Sequence, residues 1–189
     1  MKQIISIIVI VFSSIFASAQ SFDGVPISGD LITTITRFKA KGYTLKEYTN
    51  TGGAIMLGKV AFSNVELFIS VTPKTKKVFK VSVYFDEERT WANLKSVYNK
   101  YFDILTEKYG SPDSKYATFE TPYYEGDGYE MTAVGAEKCI FFAMWLMPQE
   151  NMNVAVKISE FKQVQLIYEN AEMIKIKNKE IAELENKSF

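Results

Sequence analysis

The sequence predicts an α+β fold: two helix-plus-antiparallel-meander repeats packed as one domain, with a short C-terminal helix. Three observations carry this prediction. Apolar residues recur at helix spacing after Ser28 and again after Thr90. Each helical stretch is followed by a run of short β-patterned segments broken by turn-forming residues. The two halves also end alike, Lys77-Val78-Phe79-Lys80-Val81-Ser82-Val83-Tyr84-Phe85-Asp86-Glu87 being echoed by Lys162-Gln163-Val164-Gln165-Leu166-Ile167-Tyr168-Glu169-Asn170.

In chain order, Lys2 and the apolar run from Ile4 to Phe16 precede Ala17-Ser18-Ala19, the small-x-small pattern a signal peptidase cleaves. The expectation is a leader over residues 1–19 and a domain over residues 20–189, exported to the periplasm or secreted. Gln20 in place of cysteine at the new N-terminus argues against a lipid anchor, and the apolar run is too short to span a bilayer.

Repeat 1, about residues 24–88, opens with a helix. Leu31, Ile32, Ile35 and Phe38 share a face, Ser28 or Asp30 can cap it, and Gly42 follows as the glycine after the last turn. Strands are expected near residues 43–48, 54–62, 65–72 and 77–85, with turns at Asn50-Thr51-Gly52-Gly53, Ser63-Asn64 and Pro73-Lys74-Thr75-Lys76. Repeat 2, about residues 89–170, begins with a longer helix capped by Thr90. Its stripe is Trp91, Leu94, Tyr98, Tyr101 and Leu105, and Gly110 and Pro112 end it. Strands follow near residues 115–121, 129–134, 138–146, 153–158 and 163–168, with an insertion around residues 121–130. The tail, residues 171–189, reads as a short charged helix that docks on the domain or frays.

Composition excludes several chemistries. There is no histidine, which removes Ser-His and Cys-His nucleophile pairs and nearly all zinc, copper and haem ligation. Cys139 is the only cysteine, so no internal disulfide forms, and its apolar β context points to a buried, inert thiol. Removing Lys2 from the 22 basic residues leaves 21 against 22 acidic ones, a net charge of about −1 that provides no field for nucleic acid or an anionic membrane. No cofactor is implied.

One stretch has site-like chemistry: Thr121-Pro122-Tyr123-Tyr124-Glu125-Gly126-Asp127-Gly128-Tyr129-Glu130. Tyr123, Tyr124 and Tyr129 offer flat amphipathic contact surfaces, and Glu125 and Asp127 can accept hydrogen bonds from a polyol. The match to a calcium loop is poor. Two readings stand: a contact site for a protein or glycan, or a solvated loop with tyrosines lying on the sheet edge. Asp86-Glu87-Glu88 is explained by the dipole of the helix it precedes rather than by catalysis. The lysines Lys74, Lys76, Lys77 and Lys80 read as a solvated hairpin tip.

The element order resembles the tandem repeat of β-lactamase-inhibitor-protein-like folds, shared with small envelope assembly proteins. Phe22-Asp23-Gly24-Val25-Pro26-Ile27-Ser28-Gly29, Lys41-Gly42-Tyr43 and Lys108-Tyr109-Gly110-Ser111-Pro112 resemble exported proteins of Bacteroides-type gut bacteria. These motifs are caps and turns, and the resemblance brings no activity with it. The functional expectation is an exported, non-enzymatic binding or assembly module acting through its sheet face or the tyrosine-rich loop. The alternative is a carboxylate-dependent glycan hydrolase, which needs two acids facing each other across a cleft.

Overall fold

Residues 21–186 are described by the computed structural model; the expected leader with its expected cleavage site, and residues 187–189, lie outside the described residues. The chain starts with a small hairpin, β1 (Ser21–Phe22) and β2 (Val25–Pro26), turning through Asp23 and Gly24 at φ 51° and 72°. Helix α1 (Leu31–Ala40) follows, its N-cap Asp30 accepting from the Thr33 amide at 2.8 Å. It ends in a Schellman closure: Gly42, at φ 91°, donates to the Lys39 carbonyl and Tyr43 to that of Phe38.

Four strands come next, β3 (Thr44–Tyr48), β4 (Ala54–Val60), β5 (Ser63–Val71) and β6 (Val78–Phe85). The second helix, α2 (Trp91–Tyr109), leads to β7 (Ser114–Phe119), the short helix α3 (Glu130–Gly135), β8 (Cys139–Met147), β9 (Met152–Ile158) and β10 (Val164–Asn170). Helix α4 (Ala171–Glu185) closes the described chain. The eight long strands form one antiparallel sheet ordered β3-β4-β5-β6-β10-β9-β8-β7. The fold is α+β. Each half contributes four strands, counted inward from opposite edges, and β6 and β10 join them at the centre with Val83 opposite Leu166. The two segments that echo one another in sequence are therefore hydrogen-bonded neighbours.

Helices α1 and α2 lie on the same face. Tyr101 of α2 stacks on Phe85 at 4.2 Å between ring centroids, and Tyr98 meets Phe141 edge-on at 5.4 Å. Phe38 of α1 packs on Phe22, which in turn packs on Tyr168 of β10. Register places Tyr168 opposite Val154 and Val154 opposite Trp145, on the face that α2 covers. Phe38 and Tyr98 are both buried, as are Leu94, Tyr101 and Leu105 of the expected stripe. Trp145 donates its indole N–H to the Gly110 carbonyl at 2.8 Å, tying β8 to the end of α2.

Three local expectations are corrected. The segment near residues 129–134 is helix α3, not a strand. Ala133 and Val134 are buried side by side, and Glu137 at φ 57° lets the Lys138 amide return to the Ala133 carbonyl. The β4–β5 turn is Ala61-Phe62, at φ 45° and 71°, so Ser63 and Asn64 belong to β5. Neither residue favours that conformation, which is why turn chemistry pointed two positions downstream. Asp86, Glu87 and Glu88 lie before the N-cap Thr90, and the first turn of α2 carries no acidic residue. The dipole effect fades beyond that turn, so it does not account for them.

The tail docks. Asn170 caps α4 through the amides of Glu172 and Met173, and its side chain also donates to the Ile27 carbonyl at 2.9 Å. One turn from the far end, the buried carboxylate of Glu180 accepts from the Lys74 amide at 2.7 Å and the Thr75 hydroxyl at 2.5 Å. Lys74 itself pairs with Glu183 at 2.5 Å. Part of the lysine tip is thus clasped by the tail.

Candidate functional site

Two surfaces are brought into view, the tyrosine-rich loop and the sheet face opposite α1 and α2. The loop is held by its own acids. Asp127 accepts from the Tyr124 amide at 3.0 Å and from the Tyr129 amide at 2.7 Å, and Glu130 accepts from the Gly126 amide at 2.8 Å. Glu125 reaches back to α2, where it takes the Trp91 indole N–H at 3.2 Å and pairs with the Lys95 ammonium. The Lys95 hydrogen bond, with the Trp91 contact, draws the Glu125 carboxyl below its usual range against a smaller opposing effect of burial.

Glu125 and Asp127 are therefore engaged within the protein. Tyr124 and Tyr129 are not covered, at 65% and 63% exposure, whereas Tyr123 is half-buried and packs on the core. These rings, with Pro122 and Thr132, line an open hollow of about 540 Å³. Among the described residues there is no group of acids and cysteine able to hold a metal ion.

The opposite sheet face is legible from register. One row of side chains crosses all eight strands: Glu47, Ile55, Phe68, Ser82, Ile167, Ala155, Met144 and Ser114. Ser82, Ala155 and Ile55 are buried by their neighbours, giving that row a low floor. Aromatic pairs flank it, Phe68 with Tyr84 at 5.0 Å and Tyr116 with Phe142 at 6.4 Å. Leu57, Tyr116, Ile140 and Leu146 on this face remain exposed, Tyr116 at 56%. Alternation in β5 and β6 predicted two faces, but which one α1 and α2 cover is a long-range fact that no single strand states.

A third feature was missed at the sequence level. Glu137 and Glu160, with Lys157, rim a hollow of about 270 Å³ whose wall includes Cys139, Ile140 and Phe142. The two acids come from separate turns, joined only because the start of β8 lies beside the end of β9. Cys139 is buried, and burial, with the nearby Glu125 charge, pushes its thiol pKa up to about 12. It is a poor nucleophile at neutral pH.

Comparison with models of protein families, with curated proteins and with solved structures returns no match. No helix among the described residues is long and apolar enough to cross a membrane.

Proposed function

We propose that this protein is an exported, non-enzymatic module that binds or assembles with a protein or glycan through the sheet face opposite α1 and α2. The tyrosine-rich loop acts as a second contact. The observation that carries the reading is two aromatic pairs on the face opposite α1 and α2, half-buried Phe68 with Tyr84 and exposed Tyr116 with half-buried Phe142, which Gln165 and Lys157 separate. Rigid aromatic rings supply contact area at small ordering cost, and an exposed apolar patch on a folded domain marks an interaction surface. Export is supported by the leader pattern of residues 1–19, and the absence of histidine fits a role without acid–base chemistry. The mirrored strand order supports reading the chain as two helix-plus-meander units.

The test is binding to glycan arrays and to envelope extracts by the wild type and two double variants. Tyr116→Ala with Phe142→Ala is expected to lower binding at least tenfold while the Tm holds within a few degrees. Tyr124→Ala with Tyr129→Ala is expected to have a smaller effect. Unchanged binding by a folded Tyr116/Phe142 variant defeats the sheet-face reading.

A second reading, hydrolysis of glycans by a carboxylate pair, is favoured by Glu137 and Glu160 facing one hollow. Release of reducing ends from a glycan panel, lost in Glu137→Gln and in Glu160→Gln, would establish it in place of the first.

A further inference from the structure

Strand β7 is paired on one side only, with β8, and its register is unbroken over six residues, Ser114 opposite Met144 through Phe119 opposite Cys139. The Glu120 amide donates to the Lys138 carbonyl at 2.8 Å, in the same register one step further along. In an antiparallel ladder bonded and non-bonded pairs alternate. Ser114, Tyr116 and Thr118 therefore direct their backbone groups to β8, and Lys115, Ala117 and Phe119 direct theirs outward. Among the described residues, the outward carbonyl of Phe119 accepts from its neighbour's hydroxyl, Thr118, at 3.3 Å. Residues 115–118 are all exposed. The one charge on the strand, Lys115, is drawn aside, its ammonium lying over the Phe102 ring at 4.1 Å. Within β7 there is no register slip and no second charge to oppose another strand.

We propose that β7 is a self-association edge, onto which a second copy of this chain adds its own β7 antiparallel across a two-fold axis. The outward groups select the register. Placing Ala117 opposite Ala117 of the second copy puts Lys115 opposite Phe119 and Phe119 opposite Lys115, so all three outward residues meet outward residues. Any other in-phase register matches fewer of them. The axis then passes beside two alanines, which permit close approach. The two Lys115 ammonium groups start from backbone positions roughly 14 Å apart along the strands, too far to repel strongly in salt. On the other face Tyr116 meets Thr118, a favourable cross-strand pair, and the faces opposite α1 and α2 of both copies become one continuous surface.

A single strand pair buries less than the area of a standard stable interface, so the dimer is expected to form at tens to hundreds of micromolar. Sedimentation velocity over that range should show a concentration-dependent dimer for the wild type. Ala117→Pro removes an outward N–H without touching the β8 ladder, where proline is tolerated. It is expected to keep the wild-type circular dichroism and to abolish the dimer. A wild type that stays monomeric throughout, or a dimer that persists in folded Ala117→Pro, overturns the proposal. Should that variant unfold, amide exchange on the wild type decides. The amides of Lys115, Ala117 and Phe119 must gain protection as concentration rises, and equal protection at both ends of the range defeats the idea.

Discussion

At one edge of the sheet β3 is five residues long and its register slips between Leu45 and Glu47. Lys46, at the slip, is pulled into an ion pair with Glu66 of β5 at 2.8 Å. At the other edge β7 runs six residues in even register and carries one lysine, turned aside onto a ring of α2. A bulge and a charged tip twist and hydrate an edge so that no further strand fits. The first edge has a register slip and two charges, Lys46 and Glu47, whereas the second has even register and the single charge of Lys115. Two termini of the same sheet thus differ in kind: one is closed by its own residues, and the other is left in a state that strand addition completes. The comparison also separates the two halves of the fold, which share a helix followed by strands but not the treatment of their outermost strand.

The largest expected effects come from residues that support each edge from below. Trp145, buried on β8 beside β7, fills the space under α2 and closes the Gly110 hydrogen bond. Trp145→Ala is expected to cost about 3–5 kcal/mol through the cavity left behind. On the other side, a Cβ added at Gly53 would lie 2.2 Å from the Ile69 carbonyl oxygen, a backbone atom that cannot swing away. Gly53→Ala is expected to cost roughly 1–3 kcal/mol by forcing β4 off β5. Because β6 and β10 fuse the halves, both variants should unfold in a single calorimetric transition. Two separate transitions would show that the halves are independent bodies and that the edges must be considered apart.

How much of this was legible beforehand follows from the range of the forces involved. Val65, Leu67, Ile69 and Val71 alternate cleanly, so β5 and its neighbours could be read from side-chain period alone. Asp30, Thr90, Gly42 and Gly110 mark helix ends by local chemistry, and three of these termini close with local hydrogen bonds of the expected kind. The α3 segment failed because six residues are too few to separate a helix period from alternation. The Ala61-Phe62 turn failed because its residues lack turn propensity and are held by the register of β4 and β5 instead. In the candidate site, Tyr124 and Tyr129 were found as exposed rings, but the engagement of Glu125 with α2 depends on a contact 30 residues away along the chain. That α1 and α2 share one face, that Glu137 and Glu160 rim one hollow and that β7 is an edge are facts about the assembled sheet.

A smaller effect concerns the clasp between the tail and the β5–β6 turn. Burial opposes ionisation of Glu180, but the Thr75 hydroxyl, the Lys74 and Thr75 amides and the Lys74 charge outweigh it and lower its pKa from the ordinary carboxylate value. A carboxyl with a depressed folded-state pKa contributes stability that is present above its unfolded pKa and lost as pH falls through the folded one. The amides of Lys74 and Thr75 should therefore lose exchange protection only below the normal carboxylate range, before the sheet itself opens. Glu180→Gln should show weakened protection at neutral pH. Protection unaffected by that substitution would mean that the Glu180 carboxylate does not hold the tail to the turn.

The smallest expected effect compares the two helix caps, one charged and one neutral. Asp30 holds the start of α1, on the side of the closed edge, and the hydrogen bond to Thr33 is the main reason its carboxyl sits below the usual value. Thr90 holds the start of α2, accepting from the Asn93 amide at 3.3 Å through a hydroxyl that does not titrate in this range. Acidification should therefore loosen the first cap and spare the second. By the same sign argument as for Glu180, the Asp30 contribution is complete above its unfolded pKa and disappears as pH falls through the lower folded value. Amide exchange at Thr33 should quicken through that window, while Asn93 shows no matching step. Asp30→Asn keeps a side-chain acceptor without the titration, because asparagine caps about as well as aspartate, so Thr33 should then be flat with pH. Thr90→Ala should cost about 1 kcal/mol, and that loss should be the same at pH 7 and pH 4. A pH step at Asn93 equal to that at Thr33 would show that the sheet transmits the change from one half to the other. The two caps would then report on one coupled body, and the contrast between the edges would have to arise from β3 and β7 alone.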